Sequence, residues 1–240
     1  ELTPPGKRGD KLIRALAERL VQVDLLGRAA DLLSNQVKRR LEGTKAVEVG
    51  LRLAGIRLLN NNAGQALSDL ARAQRNLNDV PVAQREPLQK EYHLLKARAL
   101  SQDGAPDKAL DLLNRLDQNE KTRRLRANIA WNAGRWSQAE RALADLIQTM
   151  DIKQDEPLTD KQAEIILNRA VALNLANSRD KLENMRKRYG KRMQDTKRGR
   201  LFDVVTRPRN TGALANRDTL QTIVSEVDMF EEFLNAYRSA

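Results

Sequence analysis

The sequence predicts an all-α fold: a solenoid of about five helical hairpins, closed by a C-terminal capping helix. Three observations predict it. Apolar residues recur at helical spacing through most of the 240 residues. Hydrophobic residues make up 40% of the chain and charged residues 31%, which suits a folded helical protein and not a disordered one. A fixed order of residues also returns along the chain, spaced as two helices and a turn would space it.

The order is clearest in Ala127–Leu146, ANIAWNAGRWSQAERALADL, where Ala127 is followed by Gly134, Trp136, Ala139 and Leu143. Gly134 suits a tight turn because it has no Cβ to clash. Trp136 fills the corner between the two helices. Ala127 and Ala139 are small where the helices cross, and Leu143 packs into the groove beyond. Ala97, Gly104, Pro106, Ala109 and Leu113 keep the same spacing. So do Ala54, Asn61, Ala63, Ala66 and Leu70, and again Ala17, Asp24, Leu26, Ala29 and Leu33. A fifth set, Ala170, Asn177, Arg179 and Leu182, keeps part of it. Such a hairpin cannot bury its apolar face alone, so each copy implies a neighbour.

This pattern resembles the tetratricopeptide repeat (TPR), over roughly Asp10 to Tyr189. The resemblance implies a right-handed α-solenoid of TPR-like hairpins whose first helices line a concave face. It implies a scaffold or adaptor that holds a peptide or protein partner there, and not an enzyme. The likeness extends to the C-terminal part of long bacterial TPR proteins of the cell envelope, which points to the periplasm, with the cytoplasm as the alternative.

Taken in order, residues 1–9 (ELTPPGKRG) read as an extended linker, with two prolines and mixed charges. The first residue is Glu, so the chain reads as part of a longer or processed product. Residues 10–194 form the repeat region. Its first hairpin carries Leu12, Ile13, Leu16, Leu20 and Val23, then Leu25, Leu32, Leu33 and Val37, and closes at Gly43–Thr44. The second runs from Ala46 to Leu77, breaking at Asn60–Asn61–Asn62. Asn78 to Pro87 reads as a loop, having two prolines. The third hairpin spans Leu88 to Leu116 and turns at Asp103–Gly104; the fourth turns at Gly134. A polar loop, Asp151 to Asp160, precedes a helix that Thr159 or Asp160 can cap. The last hairpin breaks at Asn177–Ser178. Its basic second helix, Arg179 to Gln194, buries Leu182, Met185 and Tyr189. Residues 195–217 read as a basic extended segment, with Leu201–Val205 lying extended against that hairpin. Residues 218–240 read as an amphipathic helix with the stripe Leu220, Ile223, Val224, Val227, Phe230, Leu234 and Tyr237, expected to cap the repeats.

Little in the sequence points to chemistry. There is one histidine, His93, and no cysteine, which excludes disulfides, thiolate chemistry and most metal sites. His93 reads as an exposed helix residue. No glycine-rich loop follows a strand, no run of about 18 apolar residues could span a membrane, and no cofactor is expected. Candidate residues are therefore binding residues. By the resemblance, Arg98, Arg124, Asn128, Trp131 and Asn132 face the groove, where Arg and Asn clamp an extended peptide and Trp131 anchors it. The alternatives are a solvated groove and a Trp131 packed on the next hairpin.

The net charge of +11 is concentrated late in the chain: eleven cations and three acids lie between Lys181 and Arg209. Arg186, Lys187, Arg188, Lys191, Arg192, Lys197, Arg198 and Arg200 make up this basic patch. It reads as a solvated helix face, as a contact for nucleic acid or an anionic surface, or as a dock for an acidic protein. Sequence names neither the partner nor the oligomeric state.

Overall fold

A computed structural model describes residues 6–153 and 156–207. Eleven helices occupy these residues: α1 (Lys7–Gln22), α2 (Leu26–Arg39), α3 (Gly43–Leu59), α4 (Ala63–Leu77), α5 (Val82–Gln102), α6 (Pro106–Asn114), α7 (Glu120–Asn132), α8 (Trp136–Thr149), α9 (Asp160–Leu175), α10 (Arg179–Gln194) and α11 (Gly199–Thr206). No strand occurs among the described residues. The helices pack as sequential hairpins and divide into two compact units, α1–α6 and α7–α11. The expected helix over 218–240 lies outside the described residues.

The hairpin turns share one geometry. Each of the five positions read as a break holds a residue in the left-handed region: Asp24 (φ 61°), Asn61 (53°), Gly104 (81°), Gly134 (65°) and Asn177 (56°). The residue after each donates its N–H back five positions, from Leu25 to Leu20, Asn62 to Arg57, Ala105 to Leu100, Arg135 to Ala130 and Ser178 to Leu173, all at 2.8–2.9 Å. Each left-handed residue also bonds the carbonyl three positions back. This is the Schellman ending, which satisfies carbonyls that the helix end would otherwise leave open. Gly has no Cβ penalty there, and Asp and Asn tolerate the conformation.

Seven residues before each turn stands a fully buried alanine: Ala17, Ala54, Ala97, Ala127 and Ala170. Five after the first four turns stands another, Ala29, Ala66, Ala109 and Ala139, also fully buried. Small side chains at both places let the paired helices approach. Leu33, Leu70, Leu113 and Leu143 then fill the groove, none more than 1% exposed.

In the first unit α3 is apolar nearly all round because it serves two cores. Val49, Leu53 and Ile56 join Ile13, Ala17, Val21 and Leu33 of α1 and α2. Val47, Leu51, Ala54 and Leu58 join Leu70 and Ala73 of α4 and Tyr92 and Leu95 of α5. A Cβ at Gly50 would stand 3.4 Å from that of Ala73, so α3 and α4 cross closely there.

Three boundaries depart from the sequence reading. The 1–9 linker is already helical from Lys7. The loop expected over 78–87 ends early: α5 begins at Val82, after Pro81, and carries Pro87 inside it. Pro87 removes a single helix bond, one turn past the region where donors have no helical partner, and the helix tolerates it. The stretch expected to lie extended at 201–205 is helix α11, with Phe202 and Val205 buried. Its docking, described below, supplies the reason. The capping box on α9 is present, with Thr159 accepting from the Gln162 N–H and Gln162 from the Thr159 N–H.

At Gly134 a Cβ would meet the Trp136 ring at 3.8 Å, so space permits a side chain but φ does not. Gly134→Val should therefore lower stability by about 1–3 kcal/mol through backbone strain. Thermal unfolding followed by circular dichroism checks this. An unchanged melting temperature would mean that the turn does not need the left-handed conformation.

Candidate functional site

Helix α7 gathers most of the residues expected to meet a partner. It starts sharply because Asn119 caps it, accepting from the Thr122 N–H at 3.0 Å and the Thr122 hydroxyl at 3.3 Å. It stops at the Gly134 turn. Between these ends Arg124, Asn128 and Asn132 recur at one-turn spacing and share a face.

Arg124 is half-buried, and its Nε donates to Glu120 at 2.9 Å. That hydrogen bond, then the charge of Arg124, holds the Glu120 carboxyl below its usual range. Asn132 is exposed, and its amide donates to Oδ1 of Asn128 at 3.4 Å. Asn128 is only 8% exposed, and its own Nδ2 has no hydrogen-bond partner.

Trp131 is not an open anchor. It is 2% exposed and packs edge-on to Trp136, with ring centroids 5.5 Å apart. An aromatic ring so enclosed offers no contact area to a peptide, although its indole N–H is also without a partner. Arg98 is half-buried on α5, in the first unit. His93, read as exposed, is half-buried beside the Tyr92 ring, and burial pushes its pKa down, helped by the charge of Lys96.

The basic patch separates into two sets. Arg186, Arg192 and Arg198 are turned to structural partners, which corrects their reading as a solvated face. Arg186 donates to the Asp203 carboxylate at 2.7 Å, to the Asp203 carbonyl at 3.2 Å and to the Thr206 hydroxyl at 3.3 Å. It thereby clamps α11 onto α10. Arg192 donates to the Lys153 carbonyl at 2.6 Å and lies over the Tyr189 ring, and Arg198 pairs with Glu164 of α9 at 3.2 Å. Lys187, Arg188, Lys191, Lys197 and Arg200 are exposed. Of these, Lys187 pairs with Glu183 and Arg188 lies over Tyr189, while Lys191, Lys197 and Arg200 have no acidic partner among the described residues.

Two features of the second unit were missed, and both leave a mark in the repeat. Arg186 stands where Leu33, Leu70, Leu113 and Leu143 fill the groove in the other copies. Glu140 stands in the column held by Ala30, Leu67 and Leu110. Glu140 is 3% exposed, and it draws together Lys181 of α10 at 2.5 Å and Arg169 of α9 at 3.6 Å. A charge in an apolar column was the available signal. Gly199 completes the arrangement: a Cβ there would overlap the Met193 carbonyl and come within 2.8 Å of Gln194 Cα, so α11 starts hard against the end of α10.

Among the described residues no group of three or more His, Cys, Asp or Glu side chains could hold a metal ion, and no helix is long and apolar enough to cross a membrane. No family model matches the chain, and no curated protein or solved structure matches it either.

Arg186→Gln should destabilise the fold, by about 1.5–3 kcal/mol for lost charged hydrogen bonds. Lys191→Gln should stay within about 0.5 kcal/mol. Chemical denaturation of both variants checks the difference; equal midpoints would return Arg186 to the solvated face. Acid should act through the same clamp. Asp203 is held below its usual pKa by the Arg207 hydrogen bond and then by Arg186. A lowered folded pKa means that its contribution is present above the unfolded value near 3.8 and is lost as pH falls through the folded value.

Proposed function

We propose that this chain is a TPR-like scaffold for protein–protein interaction, and that α7 contacts an extended peptide segment of the partner through Arg124, Asn128 and Asn132. Five hairpins with one turn geometry and one set of small-residue columns support the repeat reading. The observation that carries the binding reading is the polar stripe on one face of α7, with half-buried Arg124 and exposed Asn132 on either side of Asn128. Asn132 one turn on and Arg124 one turn back extend the donors along an extended chain.

The test is selection of linear peptides from a random display library on the intact chain. A convergent motif should bind the wild type, and Arg124→Ala with Asn132→Ala should weaken it about tenfold, as two lost hydrogen bonds imply, with little change in melting temperature. No convergent motif, or binding untouched by these changes, overturns the proposal.

A second reading is contact with nucleic acid or an anionic surface through Lys181–Arg209. It is favoured by the exposure of Lys191, Lys197 and Arg200 with no acidic partner among the described residues. Retention on heparin should then fall with salt, and Gln at these three positions should flatten that dependence. Absence of retention at low salt removes this reading.

A further inference from the structure

Helix α1 has two unlike faces. Ile13, Ala17 and Val21 face its core and are at most 6% exposed. On the other face Arg8, Leu12, Leu16, Arg19 and Val23 follow at intervals of four, four, three and four, so they form one row along the helix. All five are exposed, Leu12, Leu16 and Val23 by 54%, 51% and 56%, and Lys11 stands exposed at the edge of the row. Arg8, Lys11 and Arg19 have no acidic partner among the described residues; Arg19 donates to the Gln22 side chain at 3.3 Å. Both acids of α1 are committed within the unit, Asp10 to Arg40 of α2 at 3.0 Å and Glu18 to Arg52 of α3 at 2.5 Å. The result is a row of large apolar side chains with uncompensated cations inside it and beside it. Leu25, in the turn just beyond α1, is exposed as well; elsewhere among the described residues the large apolar side chains left exposed, Val82 and Val204, stand singly.

We propose that this face docks on an anionic lipid bilayer, with Leu12, Leu16 and Val23 at the edge of the acyl chains and Arg8, Lys11 and Arg19 at the phosphates. The position of Arg19 selects that occupant. In the second hairpin the same row is Val49, Leu53 and Ile56, and it is buried in one core with α1 and α2. Leu12 and Leu16 match Val49 and Leu53, but Arg19 stands where Ile56 does. A helix packed over α1 in that manner would bury the Arg19 guanidinium in an apolar seam. A second copy meeting the same face would bring its own Arg8 and Arg19 against these, like charge on like. A nucleic acid would take the cations but leave the leucines in water. A bilayer interface takes both. Long cationic side chains reach out to the phosphates while the leucines beside them enter the hydrocarbon boundary. Anionic headgroups also attract cations held within a Debye length of the surface. The contact is peripheral: α1 lies on the bilayer, and no described helix is long and apolar enough to cross it.

The test is sedimentation of the intact chain with vesicles of equal parts phosphatidylserine and phosphatidylcholine, and with vesicles of phosphatidylcholine alone. The chain should bind the anionic vesicles, bind them less as salt is raised, and leave the neutral ones in suspension without it. Leu12→Ser with Leu16→Ser should cut that binding about tenfold, with circular dichroism and retention on heparin unchanged, because heparin offers charge and no apolar phase. Gln at Arg8, Lys11 and Arg19 should weaken it and flatten its salt dependence. No binding at low salt, equal binding to neutral vesicles, or binding untouched by the leucine changes overturns the proposal. Binding lost instead on placing Gln at Lys191, Lys197 and Arg200 gives the lipid to the other basic surface and overturns it too. The absence of cysteine allows a readout of depth in a chain that keeps both leucines. An environment-sensitive dye on Val23→Cys should shift to the blue with anionic vesicles and be shielded from an aqueous quencher. The same dye on Ser68→Cys, exposed on α4, should stay in water. An equal response at both positions, or none at Val23→Cys, counts against the docking. A dimer that forms without lipid and is dissolved by Leu12→Ser with Leu16→Ser would assign the face to a second copy and also overturn it.

Discussion

Every hairpin in the described residues depends on one residue held at positive φ. Asp24, Asn61, Gly104, Gly134 and Asn177 end their helices in the same way, and the bond from the following N–H fixes where the next helix begins. A turn of fixed shape sets the geometry of the helix pair, and so decides which residues meet. The buried alanine seven positions before the turn follows from this, since a larger side chain at the crossing would force the helices apart. One constraint on the backbone thus accounts for a column of small residues, a column of groove-filling leucines and the spacing between them.

The second unit departs from the rule where it takes on an eleventh helix. Arg186 sits in the groove-filling column and reaches Asp203 and Thr206, so a polar clamp stands where other copies pack leucine. Glu140 does the same one column away, holding Lys181 and Arg169. Buried charge is weak evidence of net stability but discriminates strongly between arrangements, because a misplaced partner leaves it unpaired. In the fifth copy the groove-filling position holds Arg186, and that one side chain reaches α11.

The α7 stripe shows the same interplay at the proposed binding surface. The resemblance places Trp131 on the concave face as an anchor, but its ring closes against Trp136. The rest of that stripe is polar: Arg124, Asn128 and Asn132, one turn apart. A donor ladder suits backbone recognition better than it suits a side-chain pocket, since amides match peptide carbonyls whatever the residue.

The sequence by itself determined the helices of the five hairpins, the turns between them and the alanine columns, because these follow from local backbone preference and from a spacing repeated along the chain. It located all five left-handed turn positions, including those where Asp24, Asn61 and Asn177 stand in the place of glycine. Tertiary structure alone decided which side chains are accessible. Trp131 and Arg186 carry the chemistry of a contact surface, yet one is enclosed by a neighbouring ring and the other is committed to a helix 17 residues further on. It also decided the state of residues 199–206. That segment is too short to be helical alone, and it becomes α11 because Gly199 admits it against α10 and Arg186 holds its carboxylate and hydroxyl. Contacts of this kind join residues with no common period, so no pattern along the chain announces them.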